Sequence, residues 1–141
     1  MPELPRKKIG LISCSGEDLA EGTVTRRAVR RVLETLRPDD TVTLCLPLFL
    51  AGGEGERAFA RHYPTIAVDG CAKQCAALAT EKYSARPAAA IVVREIAEET
   101  KRTAIGTARK LNEAGLRLSE AVAERIAAEA DLLLKKKSQE R

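Results

Sequence analysis

Aromatic residues are scarce in this chain: two Tyr, two Phe and no Trp among 141 residues. It therefore offers no row of platforms on which nucleotide bases could stack, and no nucleic-acid partner is expected. The only histidine, His62, sits beside Tyr63-Pro64 at an expected helix end. It reads as a surface residue or a C-terminal cap rather than a ligand. No Ser-His-Asp set and no paired-carboxylate arrangement stands out. Long hydrophobic runs are also missing. The longest, around residues 44–51 and 88–93, are too short to cross a bilayer. The basic start, Met1 to Lys8, is followed by only a few apolar residues, unlike a secretory signal. The expectation is a cytoplasmic protein with no membrane partner. Nor is there a large charge of one sign. The 24 basic and 20 acidic residues leave +4, concentrated in Arg26-Arg27, Arg30-Arg31 and Lys135-Lys136-Lys137. These read as solvated helix faces and a loose tail.

What is present is an apolar fraction of 45%, enough for one core filled by Ala, Leu, Val and Ile. The simplest organisation is a single domain over 1–141, with a core over 9–95 and a helical extension over 96–141. Ile9 to Ser13 is a compact apolar strand. Val24, Ala28, Val29, Val32, Leu33 and Leu36 then fall on one helix face, which turns the four arginines elsewhere, and Pro38-Asp39-Asp40 stops that helix. Thr41 to Pro47 reads as a second strand. Leu48-Phe49-Leu50, Gly52-Gly53-Glu54-Gly55 and a short helix over 56–62 follow; the glycines suit a pliable connection or lid better than a phosphate cradle. Residues 65–69 make a third strand and 76–83 the body of a helix. The run 88–93 is a fourth strand or the beginning of a long helix, and periodicity does not decide. Farther on, Gly115 reads as a helix stop and Ser119 as the N-cap of a last helix. The stripe Leu118, Val122, Ile126, Ala130, Leu133 on that helix suits packing on its own sheet, with a homodimer or partner contact as the lesser reading.

This alternation predicts an α/β fold: three layers, Rossmann-like, with a mostly parallel sheet of about four strands, flanking helices and an extended helical C-terminus. Ligands of such sheets bind at the carboxyl ends of strands, where strand order reverses. The four cysteines fall at such places. Cys14, Cys45 and Cys71 lie at or near the ends of the first three expected strands, and Cys75 four residues past Cys71. If the first strand lies between the second and third, all four thiols meet at one edge. Asp69-Gly70-Cys71-Ala72-Lys73-Gln74-Cys75 reads as a one-glycine turn and a first helical turn, with Cys71 and Cys75 on one helix face. Helix N-termini favour thiolates. Four thiolates suit zinc, and the same set suits an iron–sulfur cluster. Asp69 either steadies the site as a carboxylate behind the ligands or caps the helix. Lys73 can steady the thiolates or simply be solvated.

Asp69-Gly70-Cys71, followed by Cys75, resembles the motif that names the DGC-domain family. Cys14-Ser15-Gly16 after the first strand is similar to that family's amino-terminal Cys-Ser-Gly, Cys45 to its second cysteine, and Ile66-Ala67-Val68 to the strand before its motif. The resemblance spans roughly residues 9–95. It implies a small α/β domain whose cysteines, here Cys14, Cys45, Cys71 and Cys75, bind zinc, and it implies no defined reaction. Ala72-Lys73-Gln74 departs from a segment that often carries a proline, and the helical end is longer than the resemblance leads one to expect.

Three functions follow from this reading. The first is a zinc-binding protein with a four-cysteine site. The second is a redox or sulfur-transfer enzyme in which Cys71 is the nucleophile and Cys75 or Cys14 resolves it. The third is a partner-binding module that uses the C-terminal helices.

Overall fold

The computed structural model describes residues 8–139; most of the polar lead expected over 1–8 lies outside them. Four parallel strands form one sheet in the order β2-β1-β3-β4. They are β1 (Ile9–Ser13), β2 (Thr41–Thr43), β3 (Thr65–Asp69) and β4 (Ala89–Val92). β1 therefore lies between β2 and β3, as convergence of the cysteines requires. Leu11 is in register with Ile66, and Val68 with Ile91.

Alternation along β1 divides the core. Ile9 and Leu11 face a large aliphatic cluster with Val24, Ala28, Val29 and Val32 of α1 (Ala20–Arg31) and its following π turn (Val32–Leu36). The same cluster contains Ile96 of α6 (Val93–Glu99) and Leu118, Val122, Ile126 and Ala130 of α7 (Glu113–Gln139). Gly10 and Ile12 face the other way. A Cβ on Gly10 would come within 2.4 Å of the Phe59 ring, and Ile12 packs with Phe59 and Ala76. That second face is covered by short helices: α2 (Leu46–Leu50), α3 (Glu54–Arg57), α4 (Phe59–His62) and α5 (Cys75–Tyr83).

Several local expectations change. β2 ends at Thr43, and Pro47 stands in the first turn of α2 instead of closing a strand. Proline is tolerated there because its missing N–H would have no helical partner. Phe49 is fully buried and meets Tyr83 edge-on, while Arg57 donates to the carbonyls of Phe49 and Leu50 at 3.2 Å each. The expected pliable connection is thus tied down. The run 88–93 is a strand that passes directly into α6. The last helix starts at Glu113, because the Asn112 Oδ1 accepts the Gly115 N–H at 2.9 Å. Gly115 lies inside its first turn, and Ser119 is a buried helical residue whose hydroxyl donates to the Gly115 carbonyl at 3.0 Å. Residues 135–137 continue this helix and are not a loose tail. The stripe on α7 packs against α1 and the sheet, so α7 is part of the core and not an addition to it. No helix among the described residues is long and apolar enough to cross a membrane.

Candidate thiol site at the switch point of the sheet

Strand order reverses between β1 and β3, and the segments leaving these two strands build the site. Cys14 follows β1; its N–H donates to the Val68 carbonyl at 2.9 Å and extends the ladder by one residue. Asp69 ends β3, and the Gly70 N–H donates to the Cys14 Sγ at 3.3 Å. The two loops are thus joined through a thiol. A cavity of about 410 Å³ opens here, with Cys14, Cys71 and Cys75 on its wall. Leu19, Leu46, Leu50 and Ala79 supply apolar surface, and Lys73 and Asp18 are charged members of the lining. Cys14 and Cys71 are half-buried and Cys75 is exposed.

Cys71 and Cys75 are not on one helix. Residues 71–74 form a turn closed by the Gln74 N–H to the Cys71 carbonyl at 3.2 Å, and Gln74 adopts φ 51°. A left-handed residue cannot continue a right-handed helix, so α5 begins only at Cys75. Its N-terminus is capped from a distance. The buried Asp69 carboxylate accepts the Ala76 N–H at 2.7 Å and the Ala77 N–H at 3.1 Å, one on each oxygen. The capping reading of Asp69 holds, with the cap coming from the strand end and not from the residue before the helix. Burial pushes the Asp69 carboxyl above its usual range, and the two N–H donors pull it partly back.

Burial likewise raises the Cys14 thiol. The Gly70 N–H opposes this, Asp69 adds to it, the Thr25 hydroxyl opposes it and Cys71 adds to it. Cys14 is therefore biased towards the neutral thiol, the reverse of what a helix N-terminus would do for it.

Cys45 is exposed at the position before α2, where its carbonyl accepts the Phe49 N–H at 3.0 Å. It is not among the residues lining the cavity, although its neighbour Leu46 is. His62 is exposed against Tyr63, with ring centroids 4.7 Å apart, and is not in the cavity wall. Among the described residues, no three or more His, Cys, Asp or Glu side chains are arranged to hold a metal ion.

Two features of the site escaped the sequence reading. One is the approach of α1 to the loops. A Cβ on Gly22 would fall 2.1 Å from the Gly16 carbonyl, and one on Gly70 only 3.1 Å from the α1 backbone. A side chain at Gly70 would crowd that backbone, while the φ of Gly70 itself is not positive. The other is Arg26, which donates to the Ser15 carbonyl and pairs with Glu17 at 2.7 Å, tying the loop after Cys14 to α1. Neither contact has a local signature, since the partners lie six or more residues apart.

A parallel α/β domain with a thiol-lined cavity at its switch point is the class of protein that these observations define. The DGC domain model matches residues 10–129, and the chain belongs to that family. The match includes much of α7, in keeping with that helix's place in the core. No curated protein and no solved structure matches the chain.

Proposed function

We propose that the protein binds a thiophilic metal ion, zinc in the first place, through Cys14, Cys71 and Cys75, with Cys45 as the fourth ligand. The observation that carries this reading is the presence of three thiols in one cavity at the edge of a parallel sheet. Family membership is consistent with metal binding. The donors fit zinc in kind, because thiolates are its preferred ligands at structural sites. They do not fit it as arranged, because no three of them are gathered around one point. Ligation therefore requires the thiols to draw closer together, Cys45 above all, which is exposed and outside the cavity lining. Asp69 holds the N-terminus of α5, and so Cys75, in place through the N–H groups of Ala76 and Ala77, and is assigned a supporting role behind the thiol ligands. Cys14 must also lose its proton on ligation, so binding strengthens as pH rises.

Elemental analysis with an absorption spectrum, on untagged protein purified without added metal, tests the proposal. About one zinc per chain, lost in Cys71→Ser and weakened in Cys45→Ser, is the expected result. Iron with visible colour keeps the ligands and replaces the ion by a cluster. Protein that contains no metal and fails to take up zinc under reducing conditions overturns the reading.

A second reading draws on the apolar part of the cavity. Leu19, Leu46, Leu50 and Ala79 beside three thiols suit a redox or sulfur-transfer role on a small substrate with an apolar body, with Cys71 as the nucleophile. One thiol that is alkylated far faster than the other three favours this reading; uniform rates remove it.

A further inference from the structure

The four arginines turned away from the apolar face of α1 are not dispersed in solvent. Arg26, Arg27, Arg30 and Arg31 line a cavity of about 750 Å³ together with Arg109 and Lys110 from the segment before α7. Only Glu34 and Glu120 oppose these six cations within the lining. The excess of four equals the formal net charge of the whole chain, so the remaining surface is balanced. Arg30 pairs with Glu34 at 2.6 Å, Arg31 with Glu120 at 3.3 Å and Arg26 with Glu17 at 2.7 Å. Among the described residues, Arg27, Arg109 and Lys110 have no carboxylate partner.

The segment that delivers the last two cations is built to hold its shape. The Thr107 N–H donates to the Lys110 carbonyl at 2.9 Å, and the Lys110 N–H donates to the Thr107 hydroxyl oxygen at 3.1 Å. The Thr23 hydroxyl of α1 donates to the Ala108 carbonyl at 2.7 Å and fastens the segment to the helix. The structure thus holds like charges together on a concave surface, where their repulsion is relieved by an anion.

We propose that this cavity binds a small anion carrying two or more phosphate groups. Guanidinium forks match phosphate oxygens two at a time, and three cations without partners can neutralise more than one phosphate. The volume is that of a small-molecule site. No aromatic residue lines it, so it has no platform for stacking the bases of a single strand. The cavity shares no lining residue with the thiol site, and the proposal stands whether or not that site binds metal.

Calorimetric titration of the full chain with inorganic tripolyphosphate at low ionic strength is the test. Saturable one-site binding is expected, falling steeply with added salt, with orthophosphate at least about tenfold weaker. Arg27→Ala and Arg109→Ala each weaken it roughly tenfold and together roughly a hundredfold. Both side chains are exposed, so circular dichroism of these variants is expected to be unchanged; Lys110→Ala gives an independent reading from the turn. Arg125→Ala, which removes a cation paired with Glu99 at 3.3 Å outside this lining, leaves binding unchanged. Absence of saturable tripolyphosphate binding overturns the proposal, as does binding that the Arg27 and Arg109 variants do not alter. Tight binding of an RNA oligonucleotide without tripolyphosphate binding also overturns it and assigns the surface to a nucleic acid.

Discussion

The two faces of the sheet are built on different principles. One carries α1, α6 and the 27-residue α7, packed through a continuous aliphatic cluster. The other carries α2 to α5, none longer than nine residues, over a small cluster of Ile12, Phe59 and Ala76. Helices this short are not stable by themselves. They are kept by individual ties: Arg57 on the carbonyls of α2, Asp69 on the N-terminus of α5, and the Ser84 hydroxyl oxygen accepting the Ala60 N–H at 3.0 Å. Cys45 and Cys75 belong to this second face, and Cys14 packs against its small cluster. The difference teaches that the first face is held by continuous aliphatic packing, whereas the second, which carries the thiols, is held by a few individual polar ties.

The comparison is broken most directly from the well-packed side. Ile126→Ala removes a fully buried side chain from the large cluster and is expected to cost about 2–5 kcal/mol, read as a lower urea midpoint with an unchanged slope. Thiol accessibility in the folded fraction stays the same. A similar loss of stability accompanied by rapid alkylation of Cys14 in the native state would show that the two faces are not separable.

Asp69→Ala is the corresponding change on the thin side. It leaves the N–H groups of Ala76 and Ala77 without their acceptor, Ala76 being fully buried, and is expected to cost about 2–3 kcal/mol. Asp69→Asn keeps one acceptor and costs less. Amide exchange should locate the loss in α5 and not in α7; uniform loss of protection would contradict the division.

Gly22→Ala tests the seam between the faces. The added methyl group meets backbone, which cannot turn aside as a side chain can, and about 1–2 kcal/mol is expected from the forced separation of α1 and the loop at Gly16. The same variant should increase the alkylation rate of Cys14, because that loop covers it. A fully stable variant with unchanged Cys14 reactivity would mean that the approach of the two backbones is not needed.

The smallest effect is the most dependent on pH. Arg37 holds Asp131 through two hydrogen bonds of 2.8 Å and so ties the π turn after α1 to α7. The guanidinium keeps the Asp131 carboxyl below its usual range. A depressed carboxyl pKa stabilises the fold above the unfolded-state value, near 3.9, and that stabilisation is lost as pH falls through the folded-state value. Both groups are partly exposed, so Arg37→Ala should cost under about 1 kcal/mol at neutral pH and nothing once Asp131 is protonated. Urea midpoints of the two proteins at pH 7 and at progressively lower pH measure this; a gap that widens in acid would reverse the assignment.

The sheet was legible because its signals are local. Ile9 to Ser13 and Thr65 to Asp69 are short apolar runs bounded by turn residues, and β3 appears at its expected limits. The stripe on α7 declared its inward face through spacing alone. Boundaries failed where one residue's backbone overrides composition. Gln74 in the left-handed region delays α5 to Cys75, and Asn112 starts α7 earlier than Ser119 suggests, because a cap is decided by which side chain reaches an N–H and not by residue type alone.

What the sequence determined by itself is the class of fold and the placement of cysteines at or near strand ends, since both follow from periodicity along the chain. Tertiary structure alone decided which of them share a wall. Three line the cavity, and Cys45, exposed at the position before α2, does not. It also decided that Arg109 and Lys110 join the arginines of α1. Those positions are some eighty residues apart, and charge has no period by which a sequence announces such a meeting; only the packing of α7 against α1 brings them to one surface.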